Sequence, residues 1–302
     1  MGNYLEAILN KLDVKNPTHS AHLRKNHRYL GKDHALMAED FFFQYEAFLL
    51  RNKLSLDYSI DCYLHLIEDM AGERIRFIRN GRYSSSSFRE VEKKIYHRPE
   101  VMSCHMHGLA LAQFLWFEQY ERLVFFLQNL RHFKDRVKNY LEIGGGYGLY
   151  IYEALKQLPG VNCFDLIDVS KSSIELASGI VDSEKVNYHQ MNVFDFPDNQ
   201  TYDFVTMGEV LEHVENPLTL LQKIGKLIGK DGISFISTPV NSPMKDHIYL
   251  FNNEEEIREL ISLAGLEILK EKKVISDHVS EAFAGKFKVP VMFAAIVKLK
   301  ND

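Results

Sequence analysis

Tyr140-Leu141-Glu142-Ile143-Gly144-Gly145-Gly146-Tyr147-Gly148-Leu149-Tyr150 decides how the rest of this chain is read. A short strand-forming run leads into a loop that only glycine could build, and a helix follows. Positions without side chains at Gly144, Gly146 and Gly148 let the backbone turn sharply and let a ligand approach the main-chain N–H groups at the helix start. A second strand is expected over 161–167, ending in Asp168, on the order of 20 residues downstream, where a ribose-binding carboxylate belongs. The pair points to a nucleotide-like cofactor.

Glycine spacing then discriminates between cofactors. A dinucleotide fingerprint asks for a third glycine three residues after the second, and from Gly144 and Gly146 that position is Leu149. Glu142 also sets an acid close to where phosphates would lie, so a cationic, phosphate-free cofactor fits better. The stretch from Leu141 to Gly148 resembles motif I of the class I S-adenosylmethionine methyltransferases. That resemblance implies that Glu142, Gly144, Gly145, Gly146 and Tyr147 hold the methionine end of S-adenosylmethionine. It implies too that Asp168, with Val169 beside it, accepts hydrogen bonds from both ribose hydroxyls, as a carboxylate can with its two oxygens.

Further matches arrive in the family's order. Asn192-Val193-Phe194-Asp195-Phe196-Pro197 is similar to the segment that meets the adenine amino group, although the family's usual acid is here Asn192, whose carbonyl can still accept from the amine. Tyr202-Asp203-Phe204-Val205-Thr206-Met207-Gly208-Glu209-Val210-Leu211-Glu212-His213-Val214 resembles the fourth strand and following loop of small-molecule methyltransferases, with Gly208 and Glu209 shaping the methionine pocket. The resemblance covers about residues 136–300 and is specific for the cofactor, not the acceptor.

Strand and helix alternate from Lys138 onward. Pro217 to Ile228 has helical spacing, Gly229 to Gly232 reads as a turn into strand 233–238, and a helix follows at 253–264, capped by Asn252 or Asn253 and stopped by Gly265. Strands near 266–275 and 291–299 finish the unit. The expectation is an α/β fold: a Rossmann-like, seven-stranded, mostly parallel doubly wound sheet over residues 131–302, its last strand antiparallel by family likeness.

Residues 1–130 read as an all-α accessory domain, with helical periodicity over Met37 to Leu50, Leu56 to Arg79 and the aromatic run Met106 to Leu130. A polar loop spans Asn80 to Ser87 and closes in a cap at Ser86 or Ser87, and Pro99 marks a boundary. The region either caps the substrate pocket or forms a homodimer interface. The segment holding His19, His22, His27 and His34 is a lid or a solvated arm, and its spacing makes no metal set.

The chain has 302 residues and a net charge of −5 with both signs dispersed, which disfavours a nucleic-acid partner. Cys62, Cys104 and Cys163 form no C-x-x-C pair, speak for a reducing compartment and read as buried apolar fillers. No run reaches the roughly 20 apolar residues of a membrane span. The Met1-Gly2 start lacks Ser or Thr at the sixth position, against myristoylation. A cytoplasmic protein with a small-molecule substrate and no membrane partner is expected.

Acceptor chemistry asks for alignment of a nucleophile and, for oxygen or acidic carbon, removal of its proton. Histidine suits that task near neutrality. His213 and His247, each in a loop after a strand, are the candidate catalytic residues, with Glu209 and Glu212 as competing carboxylates; no metal is expected. The function expected is methyl transfer to a small molecule, such as a specialised metabolite, a sugar-like compound or a carrier-tethered intermediate. The alternatives are a non-catalytic S-adenosylmethionine-binding regulator or assembly protein, and an enzyme of the same fold transferring another alkyl group.

Overall fold

Seven strands form one sheet in the order β3-β2-β1-β4-β5-β7-β6 in the computed structural model, which describes residues 3–161 and 163–300. Met1 and Gly2, on which the myristoylation reading turned, and Asn162 in the second expected strand lie outside those residues. The strands are β1 (Asn139–Ile143), β2 (Cys163–Asp168), β3 (Val186–Gln190), β4 (Tyr202–Gly208), β5 (Ile228–Val240), β6 (Leu266–Ile275) and β7 (Val291–Leu299). All neighbours pair in parallel except β7, which runs antiparallel to both β5 and β6. The order reverses direction between β1 and β4, so the carboxyl ends of those two strands open a crevice.

Seven helices precede the sheet: α1 (Tyr4–Lys15), α2 (Pro17–His27), α3 (Lys32–Arg51), α4 (Leu56–Asn80), α5 (Phe88–Val91), α6 (Pro99–Leu115) and α7 (Phe117–Phe133). Five more follow the first strands: α8 (Leu149–Gln157), α9 (Lys171–Val181), α10 (Pro217–Leu227), α11 (Glu254–Leu263) and α12 (Glu281–Phe287). Caps set several of these boundaries. Ser87 accepts from the Glu90 N–H, Asn253 accepts from the Glu256 N–H, and Gly265 ends α11 at φ 78°.

The helices before the sheet share its core. One apolar cluster runs from Ile8 and Leu12 through Phe41 and Phe114 to Tyr140, Phe164 and Phe235. Phe126 on α7 is the join: its ring lies 4.8 Å from Tyr150, 5.2 Å from Phe235 and 6.1 Å from Phe204, edge-on to each. The division expected between residues 130 and 131 falls inside α7. The opposite face of the sheet carries its own cluster, from Leu141 and Ile143 to Leu220, Ile224 and Ile257.

Four local expectations differ from what is found. The aromatic run 106–130 is two helices, not one, because Trp116 is extended (φ −107°, ψ 131°) and its indole N–H donates to the Tyr63 hydroxyl at 2.8 Å, turning the chain. The turn at Gly229 to Gly232 is a bulge within β5: Tyr202 stands opposite Ile228 and Phe204 opposite Ile233, so the extra residues loop out, with Lys230 and Asp231 exposed. Cys163 is exposed rather than buried, since it begins β2 at the sheet's rim. The histidine-rich segment is no solvated arm: His19 bonds Tyr63 at 2.7 Å, His34 donates to the Phe114 carbonyl at 2.9 Å, and His34 is buried.

Candidate functional site

The carboxyl ends of β1, β2, β4 and β5 open into a cavity of about 830 Å³, roofed by α2, α4, α6 and α7. After β1, the chain turns into the glycine loop. The Gly144 N–H donates to the Ile167 carbonyl at 2.8 Å, and the Gly148 N–H to the Gly145 carbonyl at 2.7 Å. Gly146 sits at φ 54°, and a Cβ there would point at open cavity, with the Met106 sulfur at 3.6 Å the nearest atom. The loop is thus a backbone cradle facing empty space, which suits a ligand lying against main-chain groups.

Asp168 ends β2 at the cavity wall. Its two oxygens accept from the Gly146 N–H at 3.0 Å and the Ser170 N–H at 2.8 Å, which leaves each with a further lone pair. Burial pushes its pKa up to about 6 against the pull of those two N–H groups. Val169, Asn192 and Val193 continue the wall; the Asn192 carbonyl accepts from the Phe194 N–H at 3.0 Å, which fixes the amide's orientation.

Gly144, Gly145, Gly146, Tyr147, Asp168, Val169, Asn192, Val193, Gly208, Glu209, His213 and His247 all line this one cavity. Glu142 does not. It lies beneath the loop, almost wholly buried, and burial together with the nearby Asp168 holds its carboxyl well above the usual range, toward the neutral form. The negative charge read at Glu142 from sequence is therefore weakened by its depth.

Arg122, on α7, was not singled out in sequence because nothing local marks it. Its guanidinium is buried and reaches Glu209 at 2.9 Å. Glu209 itself sits at φ 56°, and its carboxylate also accepts from the Ser237 hydroxyl at 3.0 Å.

The loops after β4 and β5 meet at the cavity wall. His213 Nδ1 lies 3.0 Å from the Asp246 carbonyl oxygen and 3.0 Å from the Tyr96 hydroxyl; His247 Nδ1 lies 2.6 Å from the Ser242 carbonyl oxygen. A carbonyl only accepts, so each Nδ1 carries a proton. Burial lowers the His247 pKa to about 3, so this ring is neutral. Asp246 is held far below the usual carboxylate range: burial opposes its charge, and His105 at 3.5 Å and His213 at 3.7 Å outweigh that. Of this group only His213 and His247 were candidates from sequence; Tyr96, His105 and Asp246 come from three separate places in the chain, although Asp246 is the immediate neighbour of His247.

Much of the remaining lining is apolar, although Asn26, Glu118, Gln119, Thr219 and Asp277 also reach it. Met70, Met102, Met106, Leu109, Trp116 and Met244 are among its apolar side chains. No helix among the described residues is long and apolar enough to cross a membrane.

Comparison with known proteins gives the chain's family. Residues 116–271, which begin at the break between α6 and α7, match a methyltransferase domain family. A ubiquinone biosynthesis O-methyltransferase of Rickettsia canadensis is 30% identical over 180 residues, covering 52% of this chain and 75% of that protein. One of Actinobacillus pleuropneumoniae is 29% identical over 134 residues, covering 41% of this chain and 55% of that protein. The chain thus spans about half the length of several of the relatives it matches. Among solved structures, the N-methyltransferase NodS from Bradyrhizobium japonicum, in complex with S-adenosyl-L-homocysteine, superposes with a TM-score of 0.51 at 18% identity, over 68% of this chain and 98% of that one. This last likeness is one of fold.

Proposed function

Because the chain belongs to this methyltransferase domain family, we propose that it transfers the methyl group of S-adenosylmethionine to an oxygen of a small, largely apolar acceptor. The observation that carries the proposal is that the glycine loop and Asp168 line the same cavity as His213 and His247. Relatives named for O-methylation support an oxygen acceptor.

S-adenosylmethionine supplies a methyl group made electrophilic by its sulfonium, so the protein's tasks are to align the nucleophile and to exclude water. Asp168 accepts from the ribose hydroxyls, the glycine cradle receives the methionine end, and Asn192 offers its amide to the base. Met70, Met102, Met106, Leu109 and Trp116 form an apolar chamber that dehydrates the acceptor. The Nε2 atoms of His213 and His247 meet the acceptor's hydroxyl end, where the neutral His247 ring offers an electron pair for its proton.

The test is calorimetric binding of S-adenosylhomocysteine combined with label transfer from methyl-labelled S-adenosylmethionine to a panel of phenols and catechols. Asp168→Ala is expected to weaken cofactor binding by about 100-fold or more, the loss of two charge-assisted hydrogen bonds. Unchanged affinity would overturn the site. Recovery of intact S-adenosylmethionine across the panel and a cell extract would favour a non-catalytic regulator instead.

A further inference from the structure

Glu212, His213 and His247 bring three electron-pair donors together with nothing between them. Their ligand atoms all lie within 4.8 Å of one another. His213 Nε2 is 3.8 Å and His247 Nε2 is 4.0 Å from the same oxygen, Glu212 Oε1. These separations are too long for hydrogen bonds. The two rings stand at 89° with centroids 4.9 Å apart, so they converge edge-to-face on that oxygen instead of stacking.

Each donor is oriented from behind. His213 and His247 give their Nδ1 protons to the backbone carbonyls of Asp246 and Ser242. Glu212 Oε2 accepts from the Thr238 hydroxyl at 2.8 Å, while Oε1, in a side chain 0% exposed, has no hydrogen-bond partner among the described residues. The Glu212 carbonyl accepts from the N–H groups of Ile248 and Tyr249, at 2.8 and 2.9 Å, which pins the β4 loop to the β5 loop. Backbone carbonyls that fix a histidine tautomer, behind a carboxylate with one free oxygen, are the outer-shell arrangement of a metal site. Three lone pairs facing one another repel unless a cation, or a proton, sits among them.

We propose that Glu212, His213 and His247 bind one divalent cation of the borderline transition-metal class, at the cavity wall. Two imidazoles and one carboxylate suit zinc, cobalt, nickel, iron or manganese better than calcium or magnesium. Bond lengths of about 2.0–2.2 Å set neighbouring ligand atoms roughly 3 to 3.4 Å apart, so the separations of 3.8 and 4.0 Å, and at most 4.8 Å for the third pair, must contract by roughly 0.4 to 1.8 Å as side chains close on the ion. All three residues line the cavity, and coordination positions not taken by the protein face it.

Resting on the methyl-transfer reading, the cation's task is to bind the acceptor oxygen. Coordination lowers the hydroxyl pKa, and the proton leaves to solvent. The anionic oxygen then forms a bond to the methyl carbon as the carbon–sulfur bond breaks, its electron pair staying on sulfur to give the neutral thioether. His213 and His247 are in this account ligands, and an acceptor carrying two adjacent oxygens would chelate.

Cobalt(II) is the probe, because its visible absorption reports nitrogen and oxygen coordination without turnover. The full chain, stripped with chelator and dialysed, is expected to take up one equivalent and to develop a visible band; His247→Ala and Glu212→Gln should each weaken uptake by about 100-fold or more. Thermal melts and S-adenosylhomocysteine calorimetry on each variant report whether it is folded. No stoichiometric uptake at millimolar cobalt, or uptake unchanged in folded Glu212→Gln and His247→Ala, overturns the cation site and means that a proton or water satisfies the trio. Cofactor binding without cobalt uptake sinks the cation site alone; cobalt uptake without cofactor binding upholds it and sinks the methyl-transfer reading.

Discussion

Asp168 shows how one side chain's chemistry follows from its depth. Burial pushes its carboxyl up to about 6, and in the proposed function it would have to be ionised to accept from a ribose diol with both oxygens. S-adenosylhomocysteine affinity should therefore rise as pH increases through about 6 and level off by about 8, with the slope abolished in Asp168→Asn. Titration calorimetry from pH 5 to 8 checks this; an equal slope in the variant would place the titration elsewhere. The sign for folding is the reverse: a carboxyl with a raised folded-state pKa contributes stability that is present at low pH and lost as pH rises through about 6. Residue identity and spacing made Asp168, the glycines and His213 legible in the sequence, since each belongs to a loop of fixed length at a strand's end. Arg122, Tyr96 and His105 were not legible. They reach the cavity from α7, from the turn after α5, and from α6, and no local spacing records that convergence.

Elements begin and end where local chemistry dictates. Asn253 accepts from the Glu256 N–H at 3.1 Å, while Glu256 accepts from the Asn252 N–H at 2.9 Å, and Glu254, Glu255 and Glu256 lie in the first turn, where the helix dipole favours them. Asn253→Ala should cost about 1 kcal/mol, measured by urea unfolding. A cost under a few tenths would mean that packing of Ile257 and Ile261 alone holds α11 in place. The break at Trp116 was invisible because residues on either side keep helical spacing; it is imposed by Tyr63, 53 positions earlier, which takes the indole N–H. The bulge in β5 was half legible. Gly229 and Gly232 signalled a chain reversal, yet parallel pairing with β4 on both sides of them turned it into a loop-out.

At the scale of the whole molecule, the helices before the sheet and the sheet itself are one packed body. Phe126→Ala should cost about 3–5 kcal/mol, because it opens a cavity between α7, α8 and the strands, and denaturant unfolding should show a single destabilised transition. Two separate transitions would contradict the shared core. Acid sensitivity is built in as well. Burial lowers the pKa of His34 and of His107 to about 4, so both fold as neutral rings. A histidine with a depressed folded-state pKa contributes stability present above about 6.5 and lost as pH falls through about 4, by about 3 kcal/mol for each ring. Melting temperatures should fall steadily over that window. His34→Gln, which can still donate to the Phe114 carbonyl, should flatten the fall; an unchanged profile would assign the acid sensitivity to other groups.

Local order alone settled the alternation of strands and helices, the glycine turn, the carboxylate that follows β2 and the histidine loop after β4, because each is encoded within about a dozen residues by hydrophobic period and backbone freedom. Only the folded chain decided that Glu142 lies beneath the glycine loop, that Arg122 pairs with Glu209, and that Glu212, His213 and His247 bring their ligand atoms within 4.8 Å of one another. Those facts depend on burial and on distances between segments far apart in sequence, and desolvation and convergence are properties of packing that no stretch of chain carries by itself.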